Sequence, residues 1–131
     1  MPRFTFKKNE RLCSAKAIEE LYKEGKSFYT KSLKVIFLVH PENIQTPCSV
    51  VLSVPKRSFK RAVDRNLLKR RIKESYRVNK LTLYEGLIKN KVSLHLLVLY
   101  TPKEILLFDE INKNVIQALK TLLNKVANIS V

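Results

Sequence analysis

Ten lysines and arginines fall between Lys56 and Arg77, at positions 56, 57, 60, 61, 65, 69, 70, 71, 73 and 77, against only Asp64 and Glu74. This local excess of eight positive charges is more than half of the formal +15 carried by the whole chain. Cations at this density neutralise phosphates, in contacts that depend on salt and carry no sequence information. Arginine can do so through two parallel donors. Asn66 sets a neutral amide, donor and acceptor at once, inside the positive field; its plain alternative is a surface residue or a cap partner.

Side chains for making and breaking bonds are missing at useful spacing. Only 11 residues are acidic, and no two form a general acid–base pair. Ser53 or Ser58 with His95 makes a nominal hydrolytic pair, of the kind any chain of this size contains by chance. His95 reads instead as a strand histidine, because no nearby carboxylate in the sequence orients it. Cys13 and Cys48 form no CxxC pair, and with His40 and His95 they give no zinc-type spacing. Both thiols read as small apolar groups in a reducing compartment. Two glycines in the chain leave no dinucleotide fingerprint and no phosphate loop. Binding, not catalysis by protein groups, is the supported activity.

With 131 residues and 45% hydrophobic content, the chain is one domain with a true core under a very basic surface. A pI near 10.0 calls for a polyanionic partner, with nucleic acid foremost. A membrane is disfavoured: there is no lipidation signal and no apolar segment of about 18 residues or more. The N-terminus lacks the apolar stretch of a signal peptide, so the expected location is the cytoplasm, and no stable protein partner is expected.

The elements that must position the basic segment follow from periodicity. Met1–Arg11 is a basic arm, with Phe4 and Phe6 to pin it and Arg3, Lys7 and Lys8 near phosphates. Ser14 caps a first helix over Ala15–Glu24, with Ala15, Ile18, Leu21 and Tyr22 on one stripe and Gly25 at the C-cap position. Tyr22 reads as a core-edge aromatic, the alternative being contact with single-stranded bases. A strand covers Ser32–Val39, whose second face (Lys34, Ile36, Leu38) is too apolar for open solvent and lies under the first helix or in a groove. After a loop at His40–Pro47 comes a strand at Cys48–Val54, and a hairpin between the two is the simplest topology. Pro55 ends it. The basic helix, Arg61–Arg77, turns Leu68, Ile72 and Tyr76 to the core. Its adjacent flank presents Asn66, Lys69, Arg70, Lys73 and Arg77 to anions, with Arg65 at the boundary. Leu81–Ile88 is a short helical turn or loop. Ser93–Tyr100, apolar on both faces, is a central strand, and a helix covers Phe108–Val126. Ile129–Val131 is a frayed end or a short final strand. The fold class is α+β: a compact two-layer α/β sandwich in the order α-β-β-α-β-α.

The run AVDRNLLKRRIKESYR resembles the signature of the bacterial ribonuclease P protein component. Ala62, Val63, Arg65, Asn66, Lys69, Arg70, Lys73 and Tyr76 match it. Leu67 stands where the family usually has arginine. LSVPKR upstream is similar to the strand end that precedes the signature. FTFKKNERL and YKEG match in kind, with a longer gap between them. The resemblance implies a left-handed crossover through the basic helix, and an endoribonuclease whose RNA subunit carries catalysis with Mg2+ held mainly by RNA. It implies that the protein binds the catalytic RNA through Lys56, Arg57, Arg61, Arg65, Asn66, Lys69, Arg70, Arg71, Lys73 and Arg77. A separate cleft for the 5′ leader of precursor tRNA would be lined by Lys8, Ile18, Tyr22 and Ile36, with Tyr22 as the main stacking platform. The loss of arginine at Leu67 would be offset by Arg70 or Arg71. Three alternatives share the basic helix: a ribosomal or ribosome-assembly protein, a DNA-binding module, and a stand-alone nuclease. Bound RNA identity, duplex-DNA binding and RNA-free cleavage separate them.

Overall fold

The structure is a computed structural model that describes residues 14–41 and 47–129, the side chains of 128 and 129 excepted. The basic arm with Lys8, Cys13, the middle of the His40–Pro47 connection and the last two residues lie outside the described residues. The elements are α1 (Ala15–Glu24), β1 (Lys26–Tyr29), β2 (Leu33–Pro41), β3 (Cys48–Ser53), α2 (Ala62–Lys89), β4 (Val92–Tyr100) and α3 (Phe108–Ile129).

One sheet runs in the order β1-β2-β4-β3. β4 is antiparallel to β2 and parallel to β3, so the expected β2–β3 hairpin does not form. The reason lies in the side chains. β4 buries Leu94, Leu96 and Val98 on one face and Leu97 on the other, which only a central strand allows. β3 alternates polar Ser49 and Ser53 onto one face and tolerates the edge. The parallel β3–α2–β4 crossover follows, as parallel neighbours need a long connection. β1 was not apparent in the sequence: of its four residues only Phe28 is half-buried, its ring 6.0 Å from Phe37. A tight turn closes it onto β2, with Thr30 N–H donating to the Leu33 carbonyl (2.8 Å) and Leu33 N–H to Thr30 Oγ1 (3.1 Å).

α2 and α3 cover one face of the sheet. Leu68, Ile72 and Tyr76 form the ridge expected of the basic helix, and Leu83 and Leu87 extend it. Leu81–Ile88 is therefore the continuation of one 28-residue helix, not a separate turn. Gly86 sits where α3 comes close: a Cβ there would lie 2.3 Å from Leu123 Cδ2. Polar groups fix the two helices together. Buried Ser75 donates to Asn112 Oδ1 (2.6 Å), and Asn79 Nδ2 donates to the same oxygen (3.0 Å). α3 extends to Ile129, which excludes a strand beginning there.

Among the described residues, α1 is the one helix on the opposite face, where Leu21 packs on Ile36 and Leu97. Ser14 Oγ accepts from Ala17 N–H (3.2 Å), as an N-cap should. Gly25 holds the C-cap position in an extended conformation (φ −69°). What requires glycine is proximity: a Cβ would meet Leu21 O at 2.4 Å and Ile36 Cγ2 at 2.8 Å. None of the described helices is long and apolar enough to cross a membrane.

Candidate nucleic-acid interface

The basic surface is built from the turn before α2 and the flank of α2 itself. Phe59 anchors the turn, 6% exposed and with its ring 5.8 Å from that of Tyr100. Arg65 reaches back from the first turn of α2 and donates from Nη1 to the carbonyls of Phe59 (2.8 Å) and Lys60 (2.9 Å). The guanidinium thereby satisfies carbonyls that no ladder reaches and fixes the loop that displays Lys56, Arg57 and Lys60, all exposed. Arg61 is the N-cap residue and exposed, with Asp64 in the first turn complementing the helix dipole.

The ten cations and amides expected to face RNA divide into two groups. Lys56, Arg57, Arg61, Asn66, Lys69 and Arg70 are exposed, and Lys73 is half-buried. Arg65, Arg71 and Arg77 are each engaged within the protein. Arg71 Nη1 donates to the Leu106 carbonyl and ties α2 to the β4–α3 loop. The same loop is held by the Tyr100 hydroxyl, which accepts from Leu106 N–H (3.0 Å) and donates to Glu104 O (2.6 Å). Arg77 meets both carboxylate oxygens of Glu74. That contact holds Glu74 below the usual carboxylate range and raises Arg77, the shared hydrogen bond being the chief cause in both. Leu67, half-buried, is followed by an exposed Arg70 and an occupied Arg71. Of the two candidates to replace the missing arginine, Arg70 is the one with its charge displayed.

The second feature is the face of the sheet that carries α1. Strand register orders it from end to end. Lys34, Leu99 and Ser53 share one end with Tyr29 of β1, while His40, His95 and Ser49 share the other. Ile18 is half-buried, and Ile36 is only 7% exposed beneath α1, so Ile36 is a floor residue and not an open contact. Tyr22, which reads as a core-edge aromatic from sequence, is 61% exposed and free to stack. Tyr29, which carries no signal in the sequence, is 67% exposed, with Lys34 Nζ 5.6 Å from its ring centre. Tyr29, Lys34, Arg57, Ser58, Leu99 and Lys103 line an open groove at this end. Arg57 belongs to the turn before α2 as well, so groove and helix flank meet there. Lys34 as the lone charge on an apolar strand face was the available signal; Lys103 had none.

The remaining reactive groups are otherwise occupied. Cys48 is a buried thiol outside any disulfide. The Tyr76 hydroxyl packs against Cys48 and Tyr84, and burial above all pushes it well above its ordinary range. Among the described residues no group of three or more His, Cys, Asp or Glu side chains is arranged to hold a metal.

The model of the ribonuclease P family matches residues 6–126. The chain belongs to the ribonuclease P protein family. The ribonuclease P protein component of Porphyromonas gingivalis W83 is 36% identical over 91 residues, which cover 70% of this chain and 66% of that protein. That of Nitrosococcus oceani is 30% identical over 77 residues, 59% of this chain and 62% of the other. The matched segment thus spans just under two thirds of these relatives' length. The fold is similar to RNase P protein from Thermotoga maritima (TM-score 0.69, 23% identity, 86% of this chain and 96% of that one). It is also similar to the Staphylococcus aureus RNase P protein (TM-score 0.65, 22% identity, 86% and 94%). Within this ribonuclease P fold, the motif residues Asn66, Lys69 and Arg70 lie exposed on α2, whereas Arg65 serves the turn that precedes it.

Proposed function

We propose that this chain is the protein subunit of ribonuclease P, a ribonucleoprotein endonuclease that removes the 5′ leader from precursor tRNA by RNA-borne catalysis. The observation that carries this reading is the pair of surfaces meeting at Arg57: a cationic helix flank and an apolar, aromatic-bearing face with a basic groove at its end. The flank suits the folded catalytic RNA. Its cations neutralise phosphates, and Asn66 can bond a ribose or base edge. The α1 face suits single-stranded leader, with Tyr22 and Tyr29 as stacking platforms and Lys34, Arg57 and Lys103 for the backbone.

In this reading the protein contributes affinity and placement, which lower a barrier without a protein nucleophile. Magnesium would supply charge stabilisation and an activated water. This chain does not present a donor set for it on the RNA-facing flank, where the only carboxylates are Asp64 and the Arg77-paired Glu74. The ion is accordingly assigned mainly to the RNA subunit.

Reconstitution with the cognate catalytic RNA at low magnesium tests the proposal. The expected result is stimulated 5′ maturation of precursor tRNA and no cleavage by protein alone. RNA recovered with the protein should be the ribonuclease P RNA; recovery of ribosomal RNA with no stimulation would replace this reading by a ribosome-assembly role.

A further inference from the structure

At the end of the α1 face opposite Lys34, two imidazoles from different strands are in contact. His40 on β2 and His95 on β4 have ring centres 4.0 Å apart at an interplanar angle of 47°. Glu20 of α1 approaches them, its Oε1 3.9 Å from His40 Nε2. That nitrogen is shielded and makes no hydrogen bond. The rings are only half-buried, so the cluster borders the open part of the face. Neither the basic flank nor the stacking platforms makes use of it.

We propose that His40 and His95, with Glu20, form a proton-linked subsite for a phosphodiester of single-stranded RNA at this end of the cleft. The inference rests on the reading of this face as the leader cleft. With both imidazoles neutral, the Glu20 carboxylate leaves this end of the cleft anionic, in contrast to the Lys34, Arg57 and Lys103 end. One proton on the pair cancels that charge and removes the repulsion a phosphate would meet there. A second proton is opposed by the first across 4.0 Å, so the pair responds as a unit. Burial pushes the His95 imidazole below its usual value, and His40 beside it adds to that, while Glu20 works against both. Among the described residues, the neighbours on β3 and α1 add no net charge beside the pair. β3 contributes the uncharged Ser49 and Val51 beside His95 and Leu97, and on α1 Lys16 and Glu24 flank Glu20 one turn away with opposite charges. An incoming phosphate favours the protonated pair, so RNA binding takes up a proton and affinity rises as pH falls.

The chain contains only two histidines, so imidazole proton NMR reads this pair alone. A leader-length single-stranded oligonucleotide should move the midpoint of the His95 resonance upward from its value in the free protein. In the reconstituted holoenzyme, the affinity for precursor tRNA is compared with that for the same tRNA lacking its leader, so that pH effects on the RNA cancel. This ratio should rise about three- to tenfold between pH 8 and 6, a single proton permitting at most about tenfold per pH unit. It should stay flat in His95→Gln and in His40→Gln. An unchanged pH slope in both variants, or imidazole resonances indifferent to RNA, would overturn the proposal while leaving the cleft intact. A leader that adds no affinity at any pH would remove the cleft reading and this subsite together.

Discussion

At the scale of single residues, the basic segment holds two kinds of arginine that look alike in sequence. Arg65, Arg71 and Arg77 spend their donors on Phe59, Lys60, Leu106 and Glu74. Lys69 and Arg70 have their charge in solvent. Replacing Lys69 and Arg70 by alanine should therefore weaken binding to the catalytic RNA and lower the slope of log affinity against log salt by about one to two units. The folding midpoint in urea should barely move. Arg71→Ala is expected to behave differently, because its loss releases the β4–α3 loop. Leu67 gives a second test. With Arg70 already displayed beside it, Leu67→Arg should raise RNA affinity no more than a lysine added on a remote face. A much larger gain in a filter-binding assay would show that Arg70 does not substitute for the family's arginine.

At the scale of elements, each helix is held by a close approach that tolerates little change. α1 has a small interface, Leu21 on Ile36 and Leu97, and its end is seated by Gly25 against backbone oxygens. Gly25→Ala should push α1 off the sheet and cost roughly 1–3 kcal/mol as an overpacking change. Because α1 carries Tyr22, leader affinity should fall with it, whereas affinity for the catalytic RNA should hold; paired urea melts and binding assays read both. α2 is anchored by its ridge. Ile72 is 1% exposed and borders a small apolar void shared with Val98, Val115 and Leu122. Ile72→Ala enlarges that void and should cost ~2–4 kcal/mol, with RNA affinity unchanged once folded.

At the scale of the whole molecule, the formal charge of +15 on 131 residues means self-repulsion in the compact state. Among the described residues, carboxylates relieve little of it: Lys23–Glu19 and Arg77–Glu74 are exposed, short-range pairs. The thermal midpoint should therefore rise with ionic strength from about 0.05 to 0.5 M, over which the Debye length shrinks from more than 10 Å to a few. A polyanion that binds only the folded form should raise it further by mass action. A midpoint that falls with salt would indicate that ion pairs stabilise this fold more than repulsion opposes it. More than half of the excess lies in one segment and the rest is spread over the surface, leaving a core from Leu33 to Val126 uninterrupted.

Much of this was decided by sequence alone. The bounds of α1, the ridge of Leu68, Ile72 and Tyr76 and the centrality of β4 follow from local periodicity, and the expectation of an anionic partner from charge. These depend on residues a turn or a strand step apart. The R-N-x-x-K-R order added the family. Tertiary structure alone decided what depends on distant neighbours. β4 intercalates between β2 and β3 because both its faces need cover, and β1 exists because β2 offers it an edge. Gly86 continues a helix because α3 needs the space. It likewise decided which arginines are free, since a carbonyl left bare by a distant loop claims a donor that sequence shows only as charge. His40, His95 and Glu20 are separated by 20 residues or more along the chain. Only the antiparallel pairing of β2 with β4, under α1, brings them within one proton's reach of each other.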